Sequence, residues 1–377
     1  MPSDGTGEQA LAGLRVIDLS TVLAGPNCAR YLADFGADVI KVERPDTGDS
    51  LRNMAWRDPA DGEGLWWRFV NRNKRTVDLD LKDAADLDVF LRLVDGADVL
   101  VENLRPGVLE KLGLGPDVLL ARNPGLVVTR VTGFGQTGPY ASRPGFATIA
   151  EAMGGVAAIS GQPGGDPMMP AFALTDEVTG IVAAFATMVA LHSGHGQVVD
   201  VSLLESIFHM LGPLISVWLT RGELQERMGS GIPYTVPRGA YRCSDGKFIG
   251  LSTSSDSVAQ RVMALLGFSG DASVATFEGR VANRERIEAA MREWCAARTQ
   301  EQALRELSEA DAAAGPIMDM ADIAADPHYA ARDAIITVEG TPMQGLVAKL
   351  SGTPGAVRWR GRERDADGEH IRRNGWD

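Results

Sequence analysis

Residues 13–45 read GLRVIDLSTVLAGPNCARYLADFGADVIKVERP, and this stretch decides the fold. Leu14–Leu19 and Val39–Val42 are short apolar runs of the kind buried in parallel sheets, and the segment between them, from about Pro26 to Phe35, has helical spacing. Pro26 fits an early helical position, where its missing N–H costs nothing, and Gly36 fits the position just past the helix end. The stretch therefore predicts a βαβ unit. TVDLDL (76–81), ADVLVEN (97–103) and GLVVTRVTGFG (125–135) continue the strand series, and residues 87–103 repeat the order helix, glycine, strand. The expectation is an α/β fold with a doubly wound, Rossmann-like parallel sheet.

Further along, residues 145–155 have a helical pattern, GQPGGDPMMPAF (161–172) reads as loop, Asp176–His192 makes a long apolar helix, and GQVVDVSLLESIFHML (196–211) gives strand and helix. The pattern changes after Gly222. A Gly/Pro loop (229–239) and a strand pair around CSDGKFIGLS (243–252) lead into amphipathic helices. One of these, Ser257–Leu266, shows Val258, Val262, Leu265 and Leu266 on one face, and Thr299 with Gln302 fits a capping box. Residues 225–329 are expected to form a smaller α+β domain, and 1–224 with 330–377 the large domain. The terminal run RWRGRERDADGEHIRRNGWD (358–377) reads as a solvated charged tail.

The chain has 377 residues, 45% of them hydrophobic, with 43 glycines and a formal net charge of -13. Such a chain can bury a sizeable core. Its acidity argues against nucleic acid or an anionic membrane as partner, so a bound anion must meet a local basic cluster. Cys28, Cys243 and Cys295 form no CxxC pair, which suggests neither disulfide framework nor zinc site and fits a reducing cytoplasm. The N-terminal residues show no targeting pattern, and the apolar run around Ile181–Leu191 reads as too short to span a bilayer.

Asp176, in TDEVTG (175–180), stands where a polar loop meets an apolar helix. It is open to two readings, a helix cap or a carboxylate nucleophile that needs no helper base at pH 7. GFGQTG (133–138) matches the dinucleotide pattern GxGxxG, but Pro139-Tyr140 and Ser142-Arg143-Pro144 follow it where a helix should open. NRNKRT (71–76) packs three cations into six residues. Together with Arg44, Arg105 and Lys111 it is a candidate phosphate site or a set of solvated loop charges. No GxSxG elbow occurs, and the five histidines show no catalytic or metal-ligand spacing, so no metal is expected.

GLRVIDLSTVLAGP, GADVIKVERPDTGD, NRNKRTVDLDLK, LVENLRPGVLEKLGLG, VTGFGQTGPY, LTDEVTG, GQVVDVSLLES and GPIMDMADIAADP, in this order, resemble the class III CoA-transferases. That group includes formyl-CoA transferase, carnitine CoA-transferase and α-methylacyl-CoA racemase. The resemblance implies an acyl-CoA:carboxylate CoA-transferase in which Asp176 matches the nucleophilic aspartate. Leu23, Ala24, Arg44, Asn71, Arg72, Asn73, Lys74, Asn103, Leu104, Arg105, Lys111, Gly133, Phe134 and Gly135 match the stretches lining the CoA site. It also implies acyl-CoA and a carboxylic acid as substrates, no tightly bound cofactor, and a homodimer of interlocked rings. The alternative on this scaffold is an acyl-CoA racemase or epimerase. In the racemase pattern a His-Asp pair precedes the aspartate loop, and here those places hold Phe146 and Ala147, neither of which can carry a proton. Glu151, on the same helix, fits a structural or supporting part. Only Gly229-Ser230-Gly231 stands where formyl-CoA transferase has its glycine run, and Arg238 is open to two readings, a pocket cation or a surface arginine.

Overall fold

The computed structural model describes residues 9–377, which divide into two compact units. The first unit comprises 9–156, 169–212 and 327–377, and the second 157–168 and 213–326. The smaller unit thus takes in 157–168 and 213–224, which the sequence reading assigns to the large one, and gives up 327–329 to it.

The first unit is built on six strands: β1 (Arg15–Asp18), β2 (Asp38–Glu43), β3 (Lys74–Asp78), β4 (Val99–Glu102), β5 (Val127–Thr132) and β6 (Gln197–Ser202). They lie in the order β3-β2-β1-β4-β5-β6, every pair parallel. Chain order reverses between β1 and β4, which opens a crevice outside their carboxyl ends. Alternation splits the strand side chains between two cores. Val16, Val39, Val99 and Val127 face the helices Ala24–Asp34, Leu174–Ser193 and Leu203–His209. Ile17, Ile40, Leu100 and Val128 face the opposite layer, which includes Val89, Phe90 and Leu93 of helix Ala84–Asp95.

The helix after β1 begins at Ala24, two residues before Pro26, and Gly36 follows its end at φ 111. Helix Leu174–Ser193 has 20 residues, and 18 of them in a row have a mean hydropathy of 1.5, so the helix is long and apolar enough, by length and composition only, to cross a bilayer. The expectation of a segment too short to span concerned the apolar run around Ile181–Leu191 alone and does not describe the helix that contains it. The reason is that the helix extends beyond the apolar run at both ends. One of its faces packs on helix Ala24–Asp34 at Gly180, where an added Cβ would lie 2.7 Å from Asn27 Cβ and 3.2 Å from the Ala24 carbonyl oxygen.

Beneath helix Ala24–Asp34 lies a buried charge network. Lys74 Nζ donates to Asp18 Oδ2 at 2.8 Å, to the Pro26 carbonyl at 2.8 Å and to Asn71 Oδ1 at 2.9 Å. Lys41 meets Asp49 at 3.0 Å and donates to the Ser20 carbonyl. Burial works against the Asp18 carboxylate, but Lys41 and Lys74 outweigh it and hold its carboxyl below the usual range.

The C-terminal run is no solvated tail. Asp367 and Asp365 accept from the Thr76 and Asp78 amides along the open edge of β3, helix Gly368–Asn374 buries Ile371, and Trp376 donates to the Leu93 carbonyl. Its charges cover a sheet edge that would otherwise present unpaired amides. Ahead of it, β10 (Ile335–Val338) and β11 (Thr341–Gln344) form a hairpin.

The second unit carries an antiparallel sheet of β7 (Arg238–Arg242), β8 (Phe248–Ser252) and β9 (Ala314–Pro316). One face, with Tyr241, Ile249 and Leu251, packs on Val262, Ile287, Met291 and Trp294 from the helices. The Thr299–Gln302 capping box forms with both of its bonds.

Candidate active site

The loop after β1 is tied to the loop after β4 by a reciprocal pair of bonds. Thr21 N donates to Asn103 Oδ1 at 2.8 Å, and Asn103 Nδ2 returns a bond to the Thr21 carbonyl at 2.7 Å. Val22, at φ 70, donates its amide to Asp49. Leu23 packs inward on Leu51, Trp67 and Val70, and Ala24 is buried. Gly25 is held so closely that a Cβ there would lie 2.4 Å from Ser20 Cβ. Leu104 donates its amide to Glu102. Arg44, Arg105 and Lys111 are exposed. They follow the carboxyl ends of β2 and β4, and none has a carboxylate partner among the described residues. Three exposed cations therefore follow the carboxyl ends of β2 and β4 in an acidic protein.

The NRNKRT segment is different, and its expected part as a cationic phosphate cradle is corrected. Arg72 is 1% exposed, with Nε and Nη2 on the Asp34 carboxylate and Nη1 on the Gln344 carbonyl. Asn73, at φ 62, donates to Asp34 and to the Ala356 carbonyl. Asn71 and Lys74 are fully buried in the charge network. The physical reason is the strand edge: the segment leads into β3 rather than leaving it, and ligands of such sheets sit at the carboxyl ends. Its side chains neutralise buried acids.

Gly133–Gly135 leave the end of β5, and Gly133 lies against Gly145, where a Cβ would come 2.7 Å from the Gly145 Cα. Gly135 takes φ 84. Bends and turns follow, and no helix opens until Ala147, so the GxGxxG match does not form a dinucleotide-binding turn. Phe134 instead stacks edge-on with Tyr140 at 5.8 Å.

Asp176 is the third residue of helix Leu174–Ser193. The N-cap is Ala173, and no side chain caps the helix, which removes the cap reading. Among the described residues the Asp176 carboxylate has no hydrogen-bond or ion-pair partner, although its residue is only partly exposed. Burial, then Glu151, then Glu177 push its carboxyl up from 3.8 to about 6. Its neighbours are engaged. Thr175, fully buried, donates to Glu151 Oε1 at 3.0 Å. Glu177 accepts from Asn27 Nδ2 at 3.0 Å and pairs with Arg30 at 3.5 Å. Asn27, Arg30 and Thr175 escaped the sequence reading, because nothing in spacing alone joins helix Ala24–Asp34 to the start of a helix 150 residues later. Phe146 is 69% exposed at the N-cap of helix Ala147–Met153, followed by Ala147.

In the second unit, an open groove of about 680 Å³ runs over the outer sheet face, lined by Ser230, Arg238, Ala240, Gly250 and Ser252 among others. Arg238 Nη1 donates to the Ser230 carbonyl, which anchors the guanidinium at the groove wall.

The model of CoA-transferase family III matches residues 11–364. The chain belongs to that family. This CoA-transferase is 39% identical to the succinyl-CoA–L-malate CoA-transferase β subunit of Chloroflexus aurantiacus, over 92% of this chain and 89% of the relative. It is 37% identical to the succinyl-CoA–D-citramalate CoA-transferase of the same organism, over 96% of this chain and 92% of the relative. Among solved structures, a CaiB/BaiF family protein from Brucella suis superposes with a TM-score of 0.86 at 32% identity, covering 98% of this chain and 100% of that one. The chain is therefore an enzyme of the class III CoA-transferases, acting on CoA thioesters.

Proposed function

We propose that this CoA-transferase moves CoA from succinyl-CoA to a short dicarboxylic acid through a covalent intermediate on Asp176. The observation that carries the reading is the Asp176 carboxylate itself, desolvated, without a partner and not used as a cap. The Asp176 carboxylate adds to the thioester carbonyl, and collapse of the tetrahedral adduct breaks the C–S bond, leaving a mixed anhydride and CoA thiolate. The thiolate attacks the aspartyl carbonyl and expels succinate, leaving an aspartyl-CoA thioester. An incoming carboxylate reverses both steps and departs as the new acyl-CoA. No proton need be gained or lost overall. Positioning and exclusion of water, which would divert the anhydride to hydrolysis, are the main demands on the protein.

The donor and acceptor class rests on the relatives, whose names give succinyl-CoA with malate or citramalate, both hydroxylated dicarboxylic acids. A racemase would need a base and its conjugate acid on opposite faces of the α-carbon, and Phe146 and Ala147 supply neither. The test is hydroxylamine trapping. Incubation with succinyl-CoA and then hydroxylamine is expected to leave a hydroxamate on the peptide holding Asp176, and a panel of mono- and dicarboxylates ranks the acceptors. Exchange of α-hydrogen for deuterium with no adduct sinks this reading in favour of racemisation.

Arg44, Arg105 and Lys111 are assigned to the phosphates of CoA, with Leu23, Ala24, Asn103, Leu104 and Gly133–Gly135 shaping the crevice. Alanine at any of the three cations is expected to raise KM for succinyl-CoA about tenfold with kcat nearly unchanged, since a remote charge-assisted contact contributes equally to ground and transition states. Arg72→Ala, by contrast, should lower stability. We also assign a homodimer. Ile181, Phe185 and Val189 form an exposed stripe along helix Leu174–Ser193, at 52%, 70% and 54% exposure, and such a stripe calls for a cover. A mass of one chain by light scattering would refute the dimer.

A further inference from the structure

The helix Ala147–Met153 carries one ionisable residue, Glu151, and the mechanism above does not use it. It is 4% exposed, and among the described residues its carboxylate meets no cation and accepts one hydrogen bond, from the Thr175 hydroxyl at 3.0 Å. A buried carboxylate without a cation is costly. That cost is borne beside the nucleophile, at the residue immediately before it.

We infer that Glu151 is a positioning residue of this active site: it fixes Thr175, and its negative charge keeps the Asp176 carboxylate unpaired and strongly nucleophilic. The inference rests on Asp176 acting as the nucleophile. Its geometry is distinctive. Glu151 reaches Asp176 through this bond to the adjacent Thr175 and through the field of its charge. The other charges around Asp176 do not substitute for it. Glu177, on the same helix, is neutralised by Arg30 and Asn27 of helix Ala24–Asp34, and Arg30 is further held by Asp34. Glu205, on helix Leu203–His209, accepts from the Ser202 hydroxyl, and Asp200 of β6 accepts from the Gln136 amide. His209 closes that helix. Among the described residues Glu205 and Asp200 also lack a cation but are exposed to solvent, so Glu151 is the acid among these that is both buried and without a cation, and a more basic carboxylate is the better nucleophile toward a thioester.

The test is kcat/KM for succinyl-CoA against pH in the full-length protein and in Glu151→Gln, with hydroxylamine trapping run on both. Gln keeps an acceptor for Thr175 and loses the charge. The acid limb is expected to move down by roughly one pH unit, and the plateau to fall about threefold with KM unchanged. A limb that coincides with that of the parent overturns the inference. Glu151→Asp keeps the charge and withdraws it from Thr175. It is expected to hold the limb in place and lower kcat about fivefold through lost alignment; an unchanged kcat in this variant also overturns the inference. Trapping separates the two levels. No adduct on Asp176 in the parent protein sinks the nucleophile itself, whereas adducts in both proteins with superimposed limbs sink only the part given to Glu151.

Discussion

Asp176→Asn is expected to abolish turnover, by about a thousandfold or more, and to make the folded protein more stable at pH 7.5. The first effect follows from replacing an anionic nucleophile with a neutral amide. The second follows from linkage. A carboxyl raised from 3.8 to about 6 in the folded state binds its proton more tightly folded than unfolded. Its contribution to stability is therefore fully present below about pH 4 and is lost as pH rises through about 6. A shift of this size corresponds to roughly 3 kcal/mol at most, and partial exposure reduces it to about 1 kcal/mol. Asparagine removes the charge and with it the penalty. Thermal unfolding of parent and variant at pH 7.5 and at pH 4.5 checks this. The variant should lead by a few degrees at the higher pH and by much less at the lower, and an equal lead at both refutes the linkage. Activity of the parent should fall on the acid side as the same carboxyl takes up its proton.

The second large effect lies away from the reacting carbon. Lys74→Met is expected to cost about 3–5 kcal/mol, because it strands the fully buried Asp18 with one cation where it had two and removes a donor from the Pro26 carbonyl. Denaturant titration gives the loss directly. Pairing it with Asp18→Leu should restore part of the stability, since a buried ion pair replaced as a whole by apolar groups costs far less than one broken in half. A single variant as stable as the parent would show that the network is not held together by charge.

Much of this fold can be read from the chain because parallel strands with both faces covered are apolar throughout and glycines mark the helix ends. Val16-Ile17 and Val39-Ile40 announce β1 and β2, and Gly36 announces the end of the helix between them. The position of Asp176 on a helix start was equally legible, and the resemblance of the strings around it pointed to the family. What could not be read is the direction in which polar side chains turn. NRNKRT looks like an anion trap, yet Arg72 and Lys74 face acids contributed by Asp34 and Asp18, dozens of residues away. The charged C-terminal run looks solvated until Asp365 and Asp367 are seen against β3. The bond between Thr175 and Glu151 depends on how two helices cross, and periodicity within either one does not report it.

The bare backbone at Gly180 has one more consequence. With no side chain at that crossing, the helix that bears Asp176 and the helix that opens at Ala24 lock together like a dovetail, so Asp176 and the loop after β1 are held in one rigid joint. Natural variation in cargo must then be accommodated in segments outside this joint. A methyl group at 180 would act as a wedge, degrading catalysis for every acyl chain alike, whereas changes elsewhere could trade one acid for another.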